Sequence, residues 1–172
     1  MHRIRELYEL YNQAVFRYFL RMTGNRDEAA ELTQETFYQA CLSVLRFRKQ
    51  SSLKTWLYSI ARNVYLKSLR NKGKPHALSP AESETFGFEP AGGDNPADVL
   101  ILKEERDRVR EALTRLPENY RSILILKEFE QMTNEEIAGI FDQTPNWVRV
   151  TFFRAKRQLG EIYRNLEGDD QC

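Results

Sequence analysis

From Ala77 to Pro96 the chain reads ALSPAESETFGFEPAGGDNP, with three prolines, three glycines and no apolar stripe. A segment of this kind neither propagates a helix nor supplies a core, and its composition is that of a flexible linker. It divides the 172 residues into two parts of similar length. Each part is short and must build its interior from few elements. In both, apolar residues return every three or four positions and nowhere alternate, which predicts helices. Apolar residues make up 41% and charged residues 30%, the balance of a packed protein rather than a disordered one.

The first part opens with Ile4, Leu7, Tyr8, Tyr11, Val15, Tyr18, Phe19 and Met22 on one helical stripe, stopped by Gly24. Asn25 with Glu28 marks a new helix start. That helix runs to about Leu45 with Ala29, Leu32, Thr36, Phe37, Ala40 and Val44 inward. A basic loop, Phe47 to Ser52, leads to a third helix with Leu53, Trp56, Leu57, Ile60 and Val64 on one face, ending at Lys72-Gly73. Trp56 falls on the apolar stripe and is read as core. Cys41 is read as a small buried residue, and Cys172 as part of the tail.

In the second part Val99, Leu102, Val109, Leu113 and Leu116 form a stripe, and a helix rich in Ile and Leu follows Pro117. Thr133-Asn134-Glu135-Glu136 is a capping box that opens a short helix with Ile137, Ala138 and Phe141 inward. Asp142-Gln143 turns the chain. Thr144 then caps a long helix with Pro145 first and Val148, Phe152, Ala155, Leu159, Ile162 and Leu166 as its core stripe. A short helix, a tight turn and a longer basic helix make a helix-turn-helix. Its opposite face carries Asn146, Arg149, Phe153, Arg154, Lys156 and Arg157. Arg bonds guanine O6 and N7, and Asn bonds adenine N6 and N7.

The net charge of +1 hides its distribution. Arg46 to His76 holds nine Lys/Arg and no acid, and Thr144 to Gly160 holds four and no acid. Ala77 to Asp98 holds five acids and no Lys/Arg. Two basic tracts separated by an acidic one predict two nucleic-acid footprints. Other classes find no support. No run approaches the roughly 18 apolar residues of a membrane span. Charges from Arg3 to Arg21 break any signal-peptide centre. Two cysteines and two histidines (His2, His76) make neither a disulfide framework nor a usual four-ligand zinc site, which suits the cytoplasm. With no glycine-rich phosphate loop, nucleophile elbow or ligand cluster, no catalysis, cofactor or metal is expected.

Three stretches resemble the extracytoplasmic-function group of bacterial sigma factors, the promoter-specificity subunits of RNA polymerase. They are AAELTQETFYQA (Ala29 to Ala40), SSLKTWLYSIARN (Ser51 to Asn63), and LPENYRSILILKEFEQMTNEEIAGIF followed by FFRAKRQL. The resemblance spans nearly the whole chain and implies an all-α protein of two small helical domains. Residues 1–76 would be the region 2 domain, 77–97 the linker, and 98–172 the region 4 domain with the helix-turn-helix. It implies core RNA polymerase and promoter DNA as partners, together with an anti-sigma factor, in this family often a membrane protein. It places polymerase binding on Glu31, Gln34 and Glu35. Contact with the −10 element falls to the loop Phe47, Arg48, Lys49, Gln50 and Ser51 and to Arg62, Asn63 and Lys67. Contact with the −35 element falls to the outer face of the last long helix. The chain departs from the family pattern at Lys67, where many relatives have Asp, and at Asn146-Trp147 and Val150-Thr151 on the recognition helix. Two rivals are a conventional helix-turn-helix regulator with a helical sensor domain and a helical adaptor for acidic proteins. The first leaves the basic third helix and the stretch TWLYSIARN unexplained, and the second predicts no salt-dependent affinity for promoter DNA.

Overall fold

The computed structural model describes residues 2–47, 50–73 and 96–169. Among these the chain is helical and carries no strand. The helices are α1 (His2–Thr23), α2 (Arg26–Ser43), α3 (Leu53–Lys72), α4 (Pro96–Thr114), α5 (Glu118–Glu128), α6 (Asn134–Phe141) and α7 (Pro145–Asp169), with a single 3₁₀ turn, Val44–Arg46, after α2. No described helix is long and apolar enough to cross a membrane.

Local chemistry sets the boundaries. Gly24 takes φ +67°, a left-handed value that ends α1 at no steric cost. One residue later the Asn25 side chain accepts a bond from the Glu28 N–H and starts α2. Ser52 does the same for α3 through the Thr55 N–H, and Gly73 ends that helix at φ +65°. Pro117 precedes α5, where its missing N–H costs nothing.

Helices α1, α2 and α3 pack together, and α4 to α7 form a second bundle. The two bundles also meet, with α3 along α6 and α1 against α5 and α4. Leu7, Val15, Phe19, Leu57 and Ala61 of the first bundle belong to the same buried cluster as Ile123, Leu126, Ile137 and Val148 of the second. A smaller cluster, Leu113, Leu116, Leu124 and Ala155, lies within the second bundle. Part of each apolar stripe read from the sequence is thus spent on the other domain. Residues 74–95, most of the linker, lie outside the described residues.

Candidate nucleic-acid interface

The helix-turn-helix is held by short-range bonds. The Thr133 N–H donates to Glu136 Oε2 at 2.8 Å, and the Glu136 N–H returns to Thr133 Oγ1 at 3.2 Å, completing the capping box. Asp142 turns left-handed at φ +52°, and the Thr144 hydroxyl accepts the Trp147 N–H at 3.1 Å to open α7. Val148, Thr151 and Ala155 face inward, and Trp147 packs its ring on Phe141 at 5.6 Å. These contacts fix the rotation of α7, so Asn146, Arg149, Phe153, Arg154, Lys156 and Arg157 all stand exposed on its outer side. Arg149 Nη2 donates to Asn146 Oδ1 at 2.8 Å, which presents the two groups together. Phe153 is 68% exposed, an apolar ring turned to solvent beside four cations. Lys156 reaches Glu128 at 3.4 Å and Arg157 reaches Glu161 at 3.5 Å, solvent-screened pairs that a phosphate could replace.

The −10 candidates divide. Phe47 packs its ring against that of Trp56, tilted at 43° with centroids 5.1 Å apart, so the half-buried Trp56 serves both the core and the loop. Gln50, Ser51, Asn63 and Lys67 are exposed. Arg48 and Lys49 lie outside the described residues. Arg62 points the other way. Its guanidinium lies 4.0 Å over the Phe141 ring and donates to Glu118 at 3.3 Å, leaving 15% of the side chain exposed.

On α2, Glu31 and Gln34 are exposed and Glu35 is half-buried, accepting from Gln39 Nε2 at 2.7 Å. The same outer row continues into Tyr38, Leu42 and Leu45, 58%, 60% and 96% exposed. The reading of Cys41 as buried is corrected: the thiol is exposed, because Ala40 takes the inward position and the next residue is carried a hundred degrees round the helix. Leu53, assigned to the inner face of α3, is 39% exposed at the first position of that helix. This outer apolar row was missed, although its spacing of three and four was in the sequence.

Polar contacts between the domains were also missed. Tyr58 donates to Glu130 Oε2 at 2.6 Å, and Lys54 Nζ donates to the Glu130 carbonyl at 2.7 Å. The hydroxyls of Tyr18 and Ser122, both fully buried, bond at 2.9 Å. Arg110 donates to the Gly24 carbonyl and Arg121 to that of Met22. Arg21 lies 4.0 Å over the Phe129 ring. Burial raises the hydroxyl pKa of Tyr18, and burial together with the Glu130 carboxylate raises that of Tyr58 further. Burial also lifts Glu118 above the usual carboxylate range, against the opposing pull of Arg62 and Arg121.

Residues 7–74 match sigma-70 region 2 and residues 106–159 match sigma-70 region 4. The RNA polymerase sigma factor YlaC of Bacillus subtilis is 32% identical over 156 residues, which are 91% of this chain and 89% of the relative. The ECF RNA polymerase sigma factor SigW of the same organism is 26% identical over 166 residues, covering 94% and 89%. The fold is shared with the sigma factor RpoE of Bartonella quintana, solved with the anti-sigma factor NepR, at TM-score 0.70 and 22% identity over 95% of this chain and 98% of that one. It is shared with CnrH, solved with the cytosolic domain of CnrY, at 0.66 and 18% over 94% and 88%. The conventional-regulator alternative is not favoured by these likenesses. The chain belongs to the extracytoplasmic-function group of sigma-70-type RNA polymerase sigma factors, which direct promoter-specific initiation of transcription.

Proposed function

We propose the following division of labour within this sigma factor. Residues 1–76 dock on core polymerase and hold the −10 element, 77–97 link, and 98–172 hold the −35 element. Glu31, Gln34 and Glu35 orient the polymerase contact by charge-assisted hydrogen bonds, and Tyr38, Leu42 and Leu45 extend it as an apolar patch. Phe47 supplies an aromatic wall for an unstacked −10 base. Gln50 and Ser51 supply hydrogen bonds, and Arg48, Lys49, Asn63, Lys67 and, once released from Glu118, Arg62 follow the backbone. Extrusion of a base costs a few kcal/mol, offset by these contacts, so no nucleotide hydrolysis is needed. RNA synthesis itself belongs to the polymerase, which places this protein in the cytoplasm.

The observation that carries the −35 assignment is the exposed Asn146–Arg149–Phe153 line on a helix whose rotation is fixed by Thr144 and Val148. Arg149 lies in the first turns and reads a base, Phe153 contacts a thymine methyl, and Lys156 and Arg157 grip phosphate. Selection of −35 sequences by holoenzyme tests this. Arg149→Ala should relax one position at a cost of about 1–3 kcal/mol. Arg157→Ala should weaken all promoters alike and lower the salt slope by about one. An unchanged consensus with Arg149→Ala refutes the assignment. An anti-sigma factor, which in this family is often membrane-anchored, is proposed as a further partner. The sigma factor RpoE, which shares this fold, is solved with one, and both basic faces of this chain offer an acidic protein a surface.

A further inference from the structure

A cavity of about 440 Å³ is walled by Met22 of α1, Glu28 of α2, Tyr65 of α3, Thr114 of α4, Arg121 of α5 and Gln158 of α7. Its volume falls within the range of small-molecule sites, about 300–1,000 Å³. None of its walls is assigned to promoter or polymerase contact.

Most polar groups on these walls are spent on the fold. Every nitrogen of Arg121 donates to a carbonyl. The Thr23 hydroxyl donates to the Phe19 carbonyl and accepts the Asn25 N–H, and the Thr114 hydroxyl donates to the Glu111 carbonyl. Glu118 Oε2 accepts from Arg62, and its Oε1, though unpartnered, is sealed from solvent. Tyr65 is different. It is 3% exposed, and its hydroxyl has no hydrogen-bond partner among the described residues. Unlike Glu118 Oε1 it is not sealed off, so the cavity is where a partner can come from. Buried hydroxyls are as a rule bonded. Burial raises the Tyr65 pKa, which keeps the group protonated and a donor across the neutral range.

The charges on the walls are of both signs. Glu28 is buried and meets Lys72 at 2.7 Å through Oε1, which leaves Oε2 to accept a further donor. The Lys72 and Arg115 side chains are 41% and 51% exposed, so they set positive charge where the cavity meets solvent. Met22, Leu69, Leu116 and Pro117 supply apolar wall. A simple anion site would not carry a buried carboxylate, and a simple cation site would not carry Lys72 and Arg115. An α-amino acid bears both charges on neighbouring atoms and adds a side chain for the apolar wall. We propose that this cavity binds a free α-amino acid with an apolar side chain. Its ammonium lies on Glu28, its carboxylate on the Tyr65 hydroxyl and the Lys72 and Arg115 cations, and its side chain against Met22, Leu69 and Leu116. The chain thereby gains a small-molecule input separate from its protein and DNA partners.

The test is calorimetric titration and thermal unfolding of the full chain with leucine, isoleucine, methionine and phenylalanine at up to about 10 mM. At about a hundredfold excess over its Kd, the amino acid that binds should raise Tm by about 5–10 °C. Isovalerate, which lacks the ammonium of leucine, and isoamylamine, which lacks its carboxylate, should bind at least about tenfold more weakly. Tyr65→Phe deletes a hydroxyl that has no partner in the protein. Tm without amino acid should therefore hold, while affinity falls about tenfold. Glu28→Gln should abolish the preference for leucine over isovalerate. Absence of both heat and a Tm rise with all four amino acids overturns the proposal. Unchanged affinity in Tyr65→Phe overturns it by placing the ligand elsewhere, and isovalerate binding as tightly as leucine overturns it by making the cavity a simple anion site.

Discussion

The hydrogen bond between Tyr18 and Ser122 joins residues 104 positions apart and has no contact with solvent. It offers a way to measure domain association directly. Ser122→Ala leaves the Tyr18 hydroxyl buried without a partner, at a cost of about 1–3 kcal/mol. Tyr18→Phe is milder, about 0.5–1.5 kcal/mol, because the Ser122 hydroxyl can turn to a carbonyl of its own helix. The double variant removes the orphan created by either single change. It should therefore cost less than the sum, with a coupling of about 1 kcal/mol. For a chain of this size, about 2 kcal/mol corresponds to a fall in Tm of about 4–8 °C. Urea unfolding followed by circular dichroism supplies the four free energies. Burial raises the Tyr18 pKa, so the hydroxyl stays protonated and the cycle should not vary across the neutral range. The continuous core predicts that both domains unfold in one transition. Distant sites add within about 0.3–0.5 kcal/mol. A coupling inside that interval, or two separate transitions, would refute the shared interior.

Gln34→Ala with Glu35→Ala should weaken core polymerase binding in a pull-down while leaving helix content unchanged, since alanine favours the helix at both positions. Replacing Phe47, Arg48 and Lys49 by Ala should spare affinity for a −35 duplex and reduce permanganate reactivity at −10; normal melting would remove this loop from the mechanism. Thr133→Ala breaks the capping box and should lower stability by about 1 kcal/mol with no change in preferred −35 sequence. Stability should also be proton-linked through Glu118, which faces Arg62 and Arg121 and shares a cavity with Glu28, Tyr65 and Lys72. Burial makes its carboxyl bind a proton at higher pH in the folded than in the unfolded chain. The folded form therefore gains stability as pH falls from the raised value toward 4.5 and loses it as pH rises through the same window. Urea unfolding at a series of pH values checks this, and Glu118→Gln should flatten the curve.

What the sequence made legible was what local chemistry decides. The capping box at Thr133, the Thr144-Pro145 helix start and the stops at Gly24 and Gly73 need only residues a few positions apart, and all appear in the structure. The outer face of α7 followed from the same signals, because its phase is set at its first residue. Cys41 was misplaced because α2 has apolar residues on both sides, so its inner stripe cannot be told from its outer row by spacing alone. The orientation of Arg62 was beyond reach for a different reason. Nothing within four residues fixes that side chain; Glu118, 56 positions later, does. Tyr18 and Tyr58 read as ordinary stripe residues, and only the second domain shows what their hydroxyls are for.

Arg121 gives domain separation a further property. Its guanidinium donates to the carbonyls of Leu113, Thr114 and Leu116 and to that of Met22. The first three lie at and just beyond the C-terminal end of α4, and the fourth at the end of α1, so one charge answers the negative poles of two helix dipoles. Separation of the domains breaks only the Met22 bond. The other three keep the side chain immobile and aimed, with little rotamer entropy left to lose when the domains meet again. Closing is then a landing on a prepared peg rather than a search among side-chain conformations. Once parted, the two bundles would rejoin faster than two flexible surfaces meeting at random, because this anchoring group is already in place.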